Sequence, residues 1–137
     1  MINKLLITWN PVSEIGIPLL DEQHRGIVSI INSFDYSIRS SKELEFNLNA
    51  IFMIVDCYSR LHFTAEEDFM RSAGYHDLEN HINEHSRFTN QSFAFVSQSM
   101  RLRDPNIYLD FLLNWWKMHM NNSDKKYVPF VKAHLNI

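Results

Sequence analysis

His62-Phe-Thr-Ala-Glu66 and His81-Ile-Asn-Glu-His85 each set two metal-binding side chains four residues apart. On an α-helix such residues share a face, so each pair can aim two ligand atoms at one point. His119-Met-Asn-Asn-Ser-Asp124, together with His24 in Asp-Glu-Gln-His, extends the set to five imidazoles and two carboxylates. Imidazole with carboxylate suits a borderline first-row metal such as iron, and no thiolate set is present for a cysteine-type zinc site.

Seven ligands are too many for one ion. If Glu66 and Asp124 each bridge two metals, both metals gain two oxygen ligands. Five histidines then divide three and two. With one bridging oxygen from water, the first metal is six-coordinate and the second stops at five, so one metal alone keeps an open position for a small ligand.

The chain resembles the hemerythrin family, specifically its bacterial single-domain members. The resemblance runs from Trp9 through Gly16-Ile17, Asp21-Glu-Gln-His24, His62-Phe63, Glu66-Glu67, Gly74-Tyr75, His81, His85 and Trp115 to His119 and Asp124-Lys-Lys-Tyr127. It implies two irons, one held by His81, His85 and His119, the other by His24 and His62, with Glu66 and Asp124 as bridges. Intrinsic affinity would favour copper or zinc over iron, so the choice of iron rests on the resemblance. It further implies O2 as the ligand at the open iron, and a dry apolar pocket around it. Phe63, Phe88, Trp115 and Trp116 are the candidate walls. Trp116 stands where the family usually has Leu, which predicts a narrower pocket or access channel.

The elements that must position these residues follow from hydrophobic spacing. Leu20, His24, Ile27, Ile31, Phe34 and Ile38 make an amphipathic stripe over about 18–39. Ser40-Ser-Lys-Glu43 reads as a capping box opening a second helix that runs to about Ser72 and stops at Gly74. Its stripe is Leu44, Leu48, Ile51, Val55, Tyr58, His62, Glu66 and Phe69. Buried there, Glu66 needs a cationic partner, and no Lys or Arg occupies the stripe. Glu67 and Asp68 fall off it and read as solvated charges.

Asp77 is the expected N-cap of a third helix ending near Arg103, with His81, His85, Phe88, Ser92, Phe95, Ser99 and Leu102 inward and Glu84 turned to water. His76 reads as a surface or capping residue. Asp104-Pro105 ends one helix and starts the next, whose inward face is Tyr108, Phe111, Leu112, Trp115 and His119. On a regular helix Asp124 would lie about 140° round from His119. The helix is therefore predicted to end or distort across Asn121-Asn122-Ser123, residues of poor helix propensity. Residues 1–17 read as an arm pinned by Trp9, and 125–137 as a short turn of helix against the bundle. The fold class is all-α: an up-down-up-down four-helix bundle with an N-terminal arm and a short C-terminal helical tail, in a single domain over 1–137.

Composition agrees with a globular chain: 137 residues, 45% hydrophobic, with three Gly and four Pro. A net charge of −3 with dispersed Lys and Arg argues against nucleic acid as a partner. No apolar run reaches a membrane span and no signal peptide is recognised, so a cytoplasmic monomer is expected. The single Cys57 excludes an internal disulfide and should face away from the metals.

Reversible O2 binding is the expected activity, for carriage, storage, delivery to an oxygen-using enzyme, or sensing with a signalling partner. The alternative is a di-iron oxidase, peroxidase or nitric-oxide reductase. Five neutral imidazoles against two carboxylates favour binding, because oxygen-activating bundles are carboxylate-rich. The seam shows no spare acid or base, so no catalytic residue is assigned.

Overall fold

The computed structural model describes residues 4–40 and 44–137, with the side chains of 44–47 left aside. Four long helical arms make the bundle: α1 (Pro18–Ser40), α2 (Leu44–Ser72), α3 (Leu78–Leu102) and α4 (Pro105–Trp115), the last running on through a π-helical segment (Trp116–Ser123) into α5 (Asp124–Leu135). Each of α1 to α4 packs against its neighbours in the sequence, α4 closes on α1, and α5 lies against α2. The expected capping box at Ser40–Glu43 lies, beyond Ser40, outside the described residues.

Each described connection has a local cause. Gly74, at φ +66, ends α2: its N–H donates to Arg71 O and that of Tyr75 to Met70 O, while the Tyr75 and Met70 side chains join one apolar cluster. This is a Schellman ending, which needs a left-handed residue at that place. Asp104 caps α4 by accepting from Asn106 N–H, with Pro105 in the first turn. Asp77 does stand at the N-cap of α3, but its carboxylate accepts from the Asn80 side-chain amide and not from a backbone N–H.

The arm is clamped at two points flanking Trp9. Ile7 exchanges two hydrogen bonds with the Asn32 side chain. Ile15 and Gly16 donate their N–H groups to the buried Asp21 carboxylate in the first turn of α1. Trp9 is half-buried, its ring 6.2 Å from that of Trp116 and 5.1 Å from the Arg25 guanidinium.

Two apolar clusters fill the interior. One includes Ile31, Phe34, Val55, Phe88, Leu112 and Trp116, and the other Ile17, Leu20, Met70, Tyr127 and Val131. Some inward positions differ from the expected stripes. Val28 and Val96 are buried, whereas Ile27 and Phe95 are half-buried and Leu102 is 55% exposed. Leu102 sits in the last turn before the left-handed Arg103, where the chain turns away. The tail is a twelve-residue helix, not a short turn, because the π segment carries α4 into it without a break.

Candidate metal centre

The polar groups lie between the two apolar clusters along every arm. His24 falls between Leu20 and Val28 on α1, and His62 and Glu66 precede Met70 on α2. His81 and His85 precede Phe88 on α3, while His119 and Asp124 lie between Trp116 and Tyr127. All seven are buried, at 0–4% exposure.

The π segment is what aligns the last pair. A π-helix bonds each N–H to the carbonyl five residues back, and the Asp124 N–H reaches His119 O. One wide turn thus brings both side chains to the same face. The distortion begins at Trp116, five residues earlier than the Asn121–Ser123 run suggests.

The carboxylates face two ways at once. Glu66 Oε1 lies 2.8 Å from His81 Nε2 and 2.9 Å from His85 Nε2, while Oε2 lies 3.3 Å from His62 Nε2 and 3.9 Å from His24 Nε2. Asp124 Oδ1 lies 3.1 Å from His81 Nε2 and 3.0 Å from His119 Nε2, and Oδ2 lies 3.3 Å from His24 Nε2. Two sets of ligand atoms, each within 4.8 Å of one another, follow among the described residues: Glu66, His81, His85, His119 and Asp124; and His24, His62, Glu66 and Asp124. Each could hold one metal ion, sharing both carboxylates.

The donor atoms fit a metal. Nε2 of His24, His62 and His119 and both Asp124 oxygens are buried without a hydrogen-bond partner. Such buried polar atoms are costly unless a ligand satisfies them. Without an ion the carboxylates act on the imidazoles: burial pushes His24 down, but Asp124 and Glu66 prevail and raise it to about 9. The same balance raises His81 to about 10 and His119 to about 9. Burial pushes Glu66 and Asp124 upward, yet the surrounding histidines hold both well below the usual carboxylate range.

Behind the imidazoles stand partners that spacing did not reveal. His85 Nδ1 lies 2.7 Å from Glu67 Oε2, and His119 Nδ1 lies 2.7 Å from Glu84 Oε2. Neither Glu67 nor Glu84 is the solvated charge expected of it. Each is off its helix's buried stripe but long enough to reach the outer edge of an imidazole on a neighbouring element. The bond to His119 holds Glu84 down at about 2. His62 Nδ1 lies 2.8 Å from Gln23 Oε1. Tyr58 donates to the Gln23 carbonyl, and the close approach depends on Gly26, where a Cβ would meet the Tyr58 hydroxyl at 2.1 Å. Tyr127, fully buried, donates to Glu66 Oε2 at 3.0 Å. Burial and the nearby carboxylates raise its pKa, so it remains a donor.

Phe63, Phe88 and Trp115 line an apolar cavity of about 30 Å³, with Ile31, Val55, Ser59, Leu112 and Met120 among its other walls. That exceeds the roughly 10–15 Å³ that one water needs. Phe63 stacks on His85 at 3.8 Å and Trp115 on His119 at 4.4 Å. Phe88 and Trp115 also line a solvent-facing groove of about 300 Å³ beside Glu84 and Arg87, so these two rings partition cavity from groove. Trp116 lies apart from the cavity lining, buried with its ring edge-on to His24 at 6.3 Å. Cys57 and His76 are exposed, and neither belongs to the buried ligand groups.

A helical bundle with a buried His, Glu and Asp cluster suited to a metal centre is the class these observations define. The sequence matches the hemerythrin HHE cation-binding domain over residues 15–131. The chain belongs to the hemerythrin family. It is 30% identical to a bacteriohemerythrin of Stenotrophomonas maltophilia, covering 96% of this chain and 85% of that one. Against a bacteriohemerythrin of Clostridium acetobutylicum it is 29% identical, with 90% and 99% covered. A crystal structure of a hemerythrin point mutant has a similar fold, with a TM-score of 0.77 at 21% identity over 93% of this chain and 98% of that one. Among the described residues no helix is long and apolar enough to cross a membrane.

Proposed function

We propose that the protein binds O2 reversibly at a di-iron centre. His81, His85 and His119 would hold one iron, His24 and His62 the other, and Glu66 and Asp124 would bridge them. The observation that carries this reading is that each carboxylate turns one oxygen toward each histidine group. Two ferrous ions, when bound, supply the electrons and the vacant coordination position that O2 requires.

The chain's own residues supply the rest. Glu66 and Asp124 set the spacing of the two positions, and Tyr127 holds Glu66 in place. The cavity is bordered by Ile31, Val55 and Ser59, which share helix faces with His24 and His62, and by Phe63 and Trp115, which stack on His85 and His119. This supports O2 access to the cluster from this apolar side. Phe63, Phe88 and Trp115 keep bulk water out, and Trp116 backs His24. Imidazole outnumbers carboxylate, which favours ligand binding over oxidase, peroxidase or nitric-oxide reductase turnover. Tyr127 does not alter that, since its proton is committed to Glu66. Carriage, storage, delivery and sensing all use this same step, in a chain we take to act as a monomer.

The test is the ultraviolet-visible spectrum of the anaerobically reduced protein with iron quantified, before O2, after O2 and after its removal under argon. Two irons per chain and a band that comes and goes with O2 support the reading. Irreversible conversion on the first exposure would point to an oxidase.

A further inference from the structure

The outward nitrogens of the imidazoles are not treated alike. In the three-histidine group, His85 and His119 meet carboxylates, Glu67 and Glu84, each at 2.7 Å. In the two-histidine group, His62 meets the neutral amide of Gln23 at 2.8 Å. Among the described residues, the two carboxylates that meet outward ring nitrogens therefore fall on one side of a cluster that shares Glu66 and Asp124 between both sides.

Building on the two-metal reading above, we propose that Glu67 and Glu84 widen an inequality that the third histidine begins: the three-histidine position takes a divalent metal first and holds it more tightly than its extra imidazole alone would, and Gln23 keeps the other position weaker. A carboxylate facing Nδ1–H draws that proton toward itself and leaves Nε2 a stronger donor to a metal. Such charge-assisted bonds are shorter and about twice as strong as neutral ones, so they also fix the rings more firmly. The side chains of Glu67 and Glu84 are 22% and 32% exposed. They keep part of their hydration while setting two negative charges against a cluster from which water is excluded, where the attraction to a cation is weakly screened. An amide at Gln23 orients His62 without supplying that charge. Glu67, Glu84 and Gln23 act through the histidines and are positioning residues.

The experiment is an anaerobic titration of the full-length, metal-free chain with ferrous ion against a competing chromophoric chelator. The wild type should take up two ions in two phases whose affinities differ by at least about tenfold. Glu67→Gln and Glu84→Gln should each weaken the tighter phase by roughly 10- to 100-fold, the usual loss on removing such a partner, and draw the phases together. Gln23→Glu should do so from the other side, by tightening the weaker phase. Helical circular dichroism of the metal-free variants establishes that each is folded, and Gln23→Glu keeps the test standing if a glutamate variant is not. The proposal is overturned if wild type binds both ions in one phase, or if the variants move both phases equally or neither. Uptake of one ion or none by wild type would instead overturn the two-metal reading itself.

Discussion

The backbone N–H of Asp124 donates to the carbonyl of His119, five residues earlier, and the carboxylate of the one comes to 3.0 Å from the Nε2 of the other. On a regular α-helix these side chains would diverge by about 140°. The wide turn makes Asp124 a member of both ligand groups.

Asp124→Asn therefore tests the bridge with little change of shape. Helical circular dichroism should stay as in wild type, while iron falls from two per chain to one or fewer. In the metal-free variant His24 and His119 lose a principal cause of their raised pKa and should titrate nearer the ordinary 6.5. Nuclear magnetic resonance of the histidine rings reads that shift.

The adjacent tryptophans should separate into two roles. Trp115→Ala removes part of the partition between cavity and groove. The O2 complex should then decay several-fold faster by oxidation, as followed by its absorption band. Trp116→Leu removes a buried ring that packs against Trp9 and His24 outside the cavity lining. Its main cost should be stability, about 2 kcal/mol and below the 3–5 kcal/mol of truncating a tryptophan to alanine. Thermal unfolding should show the loss, with O2 uptake retained.

Tyr127→Phe deletes the phenol that donates to Glu66. A hydrogen bond to a charged group contributes about 1.5–3 kcal/mol, so the melting temperature should fall by several degrees. If Tyr127 were instead a proton source for turnover, the variant would keep its stability and lose an activity.

Metal-free protein should lose stability on the alkaline side. His24, His81 and His119 are raised to about 9, 10 and 9 when folded, against 6.5 unfolded. The stabilisation from raised groups is full below the unfolded value and disappears as pH climbs through the folded one. Chemical unfolding should thus become easier between about pH 7 and 10. Glu66 and Asp124, held low, contribute above the ordinary carboxylate range and fail only in acid. Because a metal must displace those imidazole protons, ferrous affinity should rise with pH over the same interval. A flat profile in both measurements would contradict this.

The convergence of seven side chains was legible because four-residue spacing on long amphipathic helices leaves few alternatives for the facing groups. The distortion before Asp124 was legible for a related reason: no regular helix could bring it back to His119. Its start at Trp116 was not, since tryptophan, lysine and methionine carry no local signal for a π turn. The contacts of Glu67 and Glu84 with His85 and His119 were not legible, because helical periodicity reports only the direction of Cβ. A glutamate's three-bond reach to the ring edge of a neighbour depends on how the helices pack. Tyr127 stood in a recognised run, Asp124-Lys-Lys-Tyr127, but only the placement of α5 against α2 brings its hydroxyl to Glu66.

A pair of irons bridged by Glu66 and Asp124 can be seen by anomalous X-ray diffraction at the iron edge from crystals of the iron-loaded protein. Two peaks per chain are expected, one bonded to His81, His85 and His119 and the other to His24 and His62, with Glu66 and Asp124 contributing an oxygen to each. A single peak, or two peaks of which only one touches those carboxylates, would contradict the bridged pair.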